Sequence, residues 1–186
     1  MLIIDATNGM ETTYGEEELW LNPSNLLMIA QNIKNGLNEY ITNNYLKKQI
    51  SNNYEKLKVS LSELDADIKL TAENATRKVI VVNNDSLKYL EKYGFTVISL
   101  DDSTNSISDK TVTDIKNKIK NGEINHLFIL DKTTNSDIFN QIVNDTGINT
   151  LTFKRLDNIT DTERDNKEDY MTLMNYNIEL LKSELY

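Results

Sequence analysis

Residues 78–100 read KVIVVNNDSLKYLEKYGFTVISL. Val79-Ile80-Val81-Val82 is an unbroken β-branched run, the pattern of a strand covered on both faces. It stops at Asn83-Asn84-Asp85. Leu87 and Leu90 then mark a short helix, closed by Gly94 after Tyr93. Thr96-Val97-Ile98-Ser99-Leu100 is a second strand. A strand–helix–strand unit places its two strands parallel, with a right-handed crossover.

The alternation continues toward the C-terminus. His126-Leu127-Phe128-Ile129-Leu130 and Thr150-Leu151-Thr152-Phe153 read as the third and fourth strands. Val112, Ile115 and Ile119 mark a helix begun near Ser106 or Ser108 and closed by Gly122. Ile138, Phe139, Ile142 and Val143 mark another, entered by Ser136 and closed by Gly147. Tyr170, Leu173, Met174, Leu180 and Leu181 lie on a last helix. The fold class is therefore α/β, a four-stranded parallel sheet flanked by helices.

Toward the N-terminus the period changes. Asn22 reads as a helix N-cap with Pro23 at the first position. Leu26, Ala30, Ile33, Leu37 and Ile41 then recur at steps of three and four. Composition turns polar over residues 42–53, and Tyr54, Leu57, Leu61, Leu64 and Ile68 form a second stripe to about residue 74. These are two long helices, a helical spine. Residues 2–4 read as an edge strand and residues 11–18 as acidic and irregular. Three segments are expected: 1–21, an N-terminal strand and acidic linker; 22–76, the spine; 77–186, the α/β lobe.

Composition excludes several function classes. The chain has 186 residues, 39% hydrophobic and 26% charged, as a packed globular protein has. It contains no cysteine, which excludes disulfides, thiolate metal sites, cysteine nucleophiles and iron–sulfur clusters. The one histidine, His126, argues against a multi-histidine metal site. A net charge of −9 without a basic face argues against nucleic acid. No run of about 18 apolar residues spans a membrane. Met1-Leu2-Ile3-Ile4 runs into Asp5 without the basic region, apolar core or cleavage site of a secretory signal. The 25 asparagines are scattered, as an AT-rich genome would leave them. No glycine-rich phosphate loop, GxSxG or HExxH occurs, so no motif supports an enzyme.

Ligands of open parallel sheets bind beyond the carboxyl ends of the strands. Those ends carry Asn83-Asn84-Asp85, Asp101-Asp102, Asp131-Lys132 and Lys154-Arg155. Carboxylates there suit a hard cation; equally, Asp and Asn cap helices and form turns. Asp85 reads as an N-cap, Glu16-Glu17-Glu18 as a solvated run, and Trp20 as an anchor for the long helix. His126 opens a strand at the opposite end and reads as structural. Asn-x-Ser/Thr at Asn74, Asn84, Asn144 and Asn158 follows from asparagine richness alone.

Glu18-Leu19-Trp20-Leu21-Asn22-Pro23 resembles the His-x-Trp-Leu-Asp-Pro segment of the zinc/manganese ABC-transporter solute-binding proteins, the adhesin-type metal-binding lipoproteins. Asn84-Asp85, Tyr89-Leu90, Tyr93-Gly94, Thr146-Gly147, Asp169-Tyr170, Leu173-Met174, Asn177-Ile178 and Leu181-Lys182 follow that family's order and spacing. Residues 3–11 resemble the end of its N-lobe. The resemblance implies the linking helix and C-lobe of such a receptor, strand order 2-1-3-4, an extracytoplasmic or cell-surface location, and an ABC permease and the missing N-lobe as partners. It implies a divalent cation as cargo and no catalysis. The N-lobe and lipobox cysteine have no counterpart in this chain, and ligand positions are substituted. Glu18 stands for the first histidine, Asn84 for the second, and Lys154 for the acidic residue after the last strand. Glu18 and Asp131 are left as candidate metal ligands, with cation binding weakened or lost. The alternative is a stand-alone interaction domain on the same scaffold, with a homodimer covering the exposed face of the long helix.

Overall fold

A computed structural model describes residues 3–103 and 106–186. In chain order the elements are α1 (Glu18–Leu21), α2 (Pro23–Tyr40), α3 (Asn44–Asn74), β1 (Val79–Val82), a 3-10 helix (Asp85–Tyr93), β2 (Thr96–Ser99), α4 (Asp109–Lys120), β3 (His126–Leu130), α5 (Asp137–Thr146), β4 (Asn149–Phe153), α6 (Asp161–Asp165) and α7 (Tyr170–Leu185). The sheet is wholly parallel, ordered β2-β1-β3-β4, as the resemblance implied.

Alternation along the strands builds a three-layer sandwich. Ile80, Val82, Phe128, Leu130 and Phe153 face α3, the 3-10 helix and α7, joining Leu64, Ile68, Leu87, Leu90, Met174, Ile178 and Leu181 in one core. Val81 and Leu127 face the other way, against Ile115 of α4 and Phe139 and Ile142 of α5. Phe128 and Phe153 meet edge to face at 5.2 Å between centroids, a geometry that adds about 1 kcal/mol beyond burial.

Caps fix most helix starts. Asn22 Oδ1 accepts from Ser24 N, with Pro23 at the first position, as expected. Ser108 and Ser136 cap α4 and α5. Gly94 and Gly147 close their helices in the left-handed region, with φ of +92° and +67°. The polar stretch expected at 42–53 is mostly helical. Asn43 accepts from the amides of Tyr45 and Leu46, so the chain bends only at residues 41–43 before α3 begins. The cap after β1 is Asn84, whose Oδ1 accepts from Ser86 N at 2.9 Å, and not Asp85. Residues 3–5 join no strand; the segment is held instead by Asn32 Nδ2, which donates to the carbonyls of Ala6 and Asn8.

The spine divides at its middle. Leu61, Leu64, Ile68 and Ala72 of α3 are buried in the lobe, whereas α2 buries only Pro23. Ala30, Ile33 and Leu37 of α2 and Ile50, Tyr54 and Leu57 of α3 line an apolar groove between the two helices. At the amino edge of the sheet, His126 Nδ1 lies 3.0 Å from Oε2 of the fully buried Glu184, whose other oxygen accepts from Asn125 N.

Candidate functional site

The strand order reverses direction between β1 and β3, which makes a crevice at their carboxyl ends. That crevice is closed by Asn83. Its side chain is buried; Oδ1 accepts from Leu130 N at 2.8 Å, and Nδ2 donates to Thr133 Oγ1 at 2.9 Å and Asn135 Oδ1 at 2.7 Å. An amide with these partners in place is a brace between two strand ends.

The rim of this edge is built from α1 and the segment after β4. Lys154 is fixed by Asn177 of α7, which accepts from the Lys154 amide at 2.7 Å and donates to its carbonyl at 3.0 Å. The Lys154 ammonium pairs with Glu163 at 2.9 Å. This bond to Glu163, with Asp131 as a further negative neighbour, raises the lysine's pKa despite partial burial. Glu163 accepts from the backbone and hydroxyl of Thr160, and these bonds with Lys154 hold its pKa down at about 2. Lys132 pairs with Asp157 at 3.0 Å.

Arg155 ties the rim to α1. Its guanidinium bonds Glu17 Oε1 and lies 3.8 Å from Asp157 Oδ2. Glu17 Oε2 accepts from Ser86 Oγ at 3.2 Å. Burial pushes the Glu17 carboxyl up, but its own backbone amide, Arg155 and Ser86 outweigh that and hold it below its ordinary value. The Trp20 indole donates to the Arg155 carbonyl at 2.8 Å, and Tyr170 Oη donates to the Trp20 carbonyl at 2.7 Å.

The candidate ligands are not gathered around one point. Glu18 turns back on its own segment, where Oε2 accepts from the Thr13 and Tyr14 amides, both at 3.1 Å. Asn84 caps the 3-10 helix. Asp131 lines a narrow cleft with Lys132, Lys154, Arg155, Asp157 and Glu163, a lining Glu18 does not join. Among the described residues no three His, Cys, Asp or Glu side chains converge as a metal-binding group. Zinc sites take nitrogen, sulfur or carboxylate donors in tetrahedral sets; an amide in use as a cap and a lysine do not supply one. The acidic run before Trp20 is not uniformly solvated, since Glu17 and Glu18 are each held by specific donors. Sequence reasoning also missed the Glu17–Arg155 pair, whose partners are 138 residues apart.

Residues 3–184 match the family model described as zinc-uptake complex component A, periplasmic (ZnuA). The chain belongs to the ZnuA family. It is 23% identical over 170 residues to the zinc-binding protein AdcA of Streptococcus pyogenes serotype M1, a match of 90% of this chain and 32% of AdcA. The chain thus spans about a third of the length of the curated relatives it matches. Among solved structures, the metal-dependent lipoprotein YcdH of Bacillus subtilis superposes with a TM-score of 0.76 at 19% identity, over 98% of this chain and 70% of YcdH. A crystal structure of ZnuA gives 0.75 at 15% identity, over 98% and 69%. The Zn(II)-bound ZnuA-like domain of Streptococcus pneumoniae AdcA gives 0.72 at 20%, over 98% and 69%. At these identities the solved ZnuA-type structures establish the shared fold. The chain is thus related to the zinc ABC-transporter solute-binding proteins, and among its described residues no helix is long and apolar enough to cross a membrane.

Proposed function

We propose that the chain is a receptor-type lobe of a metal-ion ABC transport system in which cation binding is weakened or lost. One observation carries this reading: the groups at the positions of the expected ligands already serve other bonds. Glu18 is bound to two backbone amides, Asn84 to Ser86, and Lys154 to Glu163. A cation would have to break these bonds and displace an ammonium. On this reading the lobe carries out no catalysis, works outside the cytoplasm, and has a permease and a further lobe as partners. The segments 1–21, 22–76 and 77–186 are its rim and linker, its spine and its α/β body.

Thermal melting tests the reading. The melting temperature in EDTA should be unchanged by Zn²⁺, Mn²⁺, Mg²⁺ or Ca²⁺ at about 1 mM, whereas a ligand at 100 times its Kd would stabilise by about 2.7 kcal/mol. A selective rise with Zn²⁺ or Mn²⁺ overturns it.

The apolar groove between α2 and α3 favours a second reading, an interaction module. Two copies pairing their grooves would bury Ile33, Leu37 and Leu57 in a four-helix bundle. Sedimentation equilibrium distinguishes the two: a concentration-dependent dimer supports the module, and a monomer across the range rejects it.

A further inference from the structure

The same rim that fails as a zinc site already holds a cation, and that cation is part of the chain. Two carboxylates from distant segments, Glu17 before α1 and Asp157 after β4, face the one guanidinium of Arg155. Around it stand further oxygens: Ser86 Oγ bonds Glu17 Oε2 at 3.2 Å and the Tyr14 carbonyl, also at 3.2 Å. The guanidinium does not fully suit its position, because Arg155 Nε is buried without a hydrogen-bond partner. Lys132 occupies the other oxygen of Asp157, and Lys154 is matched by Glu163. Taking Arg155 away therefore leaves Glu17 and Asp157 against Lys132, a net negative, oxygen-lined gap.

We propose that Arg155 is a tethered cation that clamps the α1 segment to the end of β4 and masks a latent site for a hard divalent cation between Glu17 and Asp157. Oxygen donors of this kind, completed by water, suit Ca²⁺ or Mg²⁺ at millimolar affinity and do not suit zinc. The inference rests on the reading that the native chain has no working cation site, and deepens it by naming what took the cation's place.

Trp20 reports the clamp directly. It is the only tryptophan in the chain, and its indole donates to the Arg155 carbonyl. The experiment compares the native chain with Arg155→Ala, each in EDTA and in about 10 mM CaCl₂ or MgCl₂, by Trp20 fluorescence and melting temperature. In EDTA, Arg155→Ala should melt lower and show red-shifted, more readily quenched Trp20 emission. Calcium or magnesium should reverse the emission change and raise its melting temperature by about 2–5 °C. The native chain should respond to neither ion. Arg155→Lys, which keeps the charge, should stay insensitive; the double variant Glu17→Gln, Arg155→Ala should lose the response. If Arg155→Ala is too unstable to purify, Arg155→Gln takes its place with the same expectation. A variant that loosens without any cation response overturns the proposal and reduces the clamp to an ordinary ion pair, leaving the lost-site reading intact. A native chain that responds to zinc or manganese defeats the lost-site reading itself, whatever the variants do.

Discussion

Asn177 is 1% exposed on α7 and satisfies both backbone groups of Lys154. It sets where β4 ends and where Lys154 and Arg155 emerge. Asn177→Ala leaves a buried N–H and C=O without partners, each worth about 1–3 kcal/mol. The expected loss is about 2–4 kcal/mol in urea unfolding, with the slope unchanged; a loss below about 0.5 kcal/mol would show that water replaces the amide. The carboxylate of Glu163 makes the matching pH prediction. Its folded pKa is about 2, below the ordinary 4.5, because Thr160 and Lys154 favour the charged form. A lowered carboxylate pKa stabilises the fold above the ordinary value, and that contribution disappears as pH falls through the lowered one. The melting-temperature advantage of the native chain over Glu163→Gln should be full near pH 6, shrink below pH ~4.5 and vanish near pH 2. An advantage independent of pH would contradict the bond.

At the scale of elements, the spine has two halves of unequal security. The second half of α3 is fixed by the lobe, while α2 leans on α3 with its stripe half-exposed. The turn between them depends on one side chain, Asn43, bound to two amides. Asn43→Ala should cost about 1 kcal/mol. It should also speed hydrogen exchange across residues 26–57 more than in β1 or β3; uniform acceleration would mean that the hairpin unfolds only with the whole. Local signals made much of this architecture legible beforehand. Val79–Val82 announces a covered strand, Asn22-Pro23 a helix start, and Gly94 and Gly147 helix ends. Asn43 went unread because its neighbours are as polar as a loop, although polar residues on an exposed helix face need no core. Asn84 and Asp85 are both good caps, and only the backbone geometry after β1 chooses between them.

For the whole molecule, what the sequence concealed is long-range. The arginine that meets Glu17 follows a strand 138 residues later, and nothing in either neighbourhood marks the pair. Position-by-position resemblance did find the substituted ligands, because Glu18, Asn84 and Lys154 sit in recognisable local motifs. It could not tell that Glu18 turns inward to the Thr13 and Tyr14 amides, which depends on the path of the chain before α1. The resulting molecule keeps a ZnuA-type lobe and replaces a cation-filled rim by internal pairs: Lys154 with Glu163, Arg155 with Glu17, Lys132 with Asp157. Isothermal titration of zinc into EDTA-stripped, dialysed protein at neutral pH tests that account most directly. The account predicts no saturable heat with a Kd tighter than about 1 mM, a binding free energy no larger than about 4 kcal/mol. One-to-one binding near 1 μM, about 8 kcal/mol, would contradict it and require ligands that these internal pairs do not block.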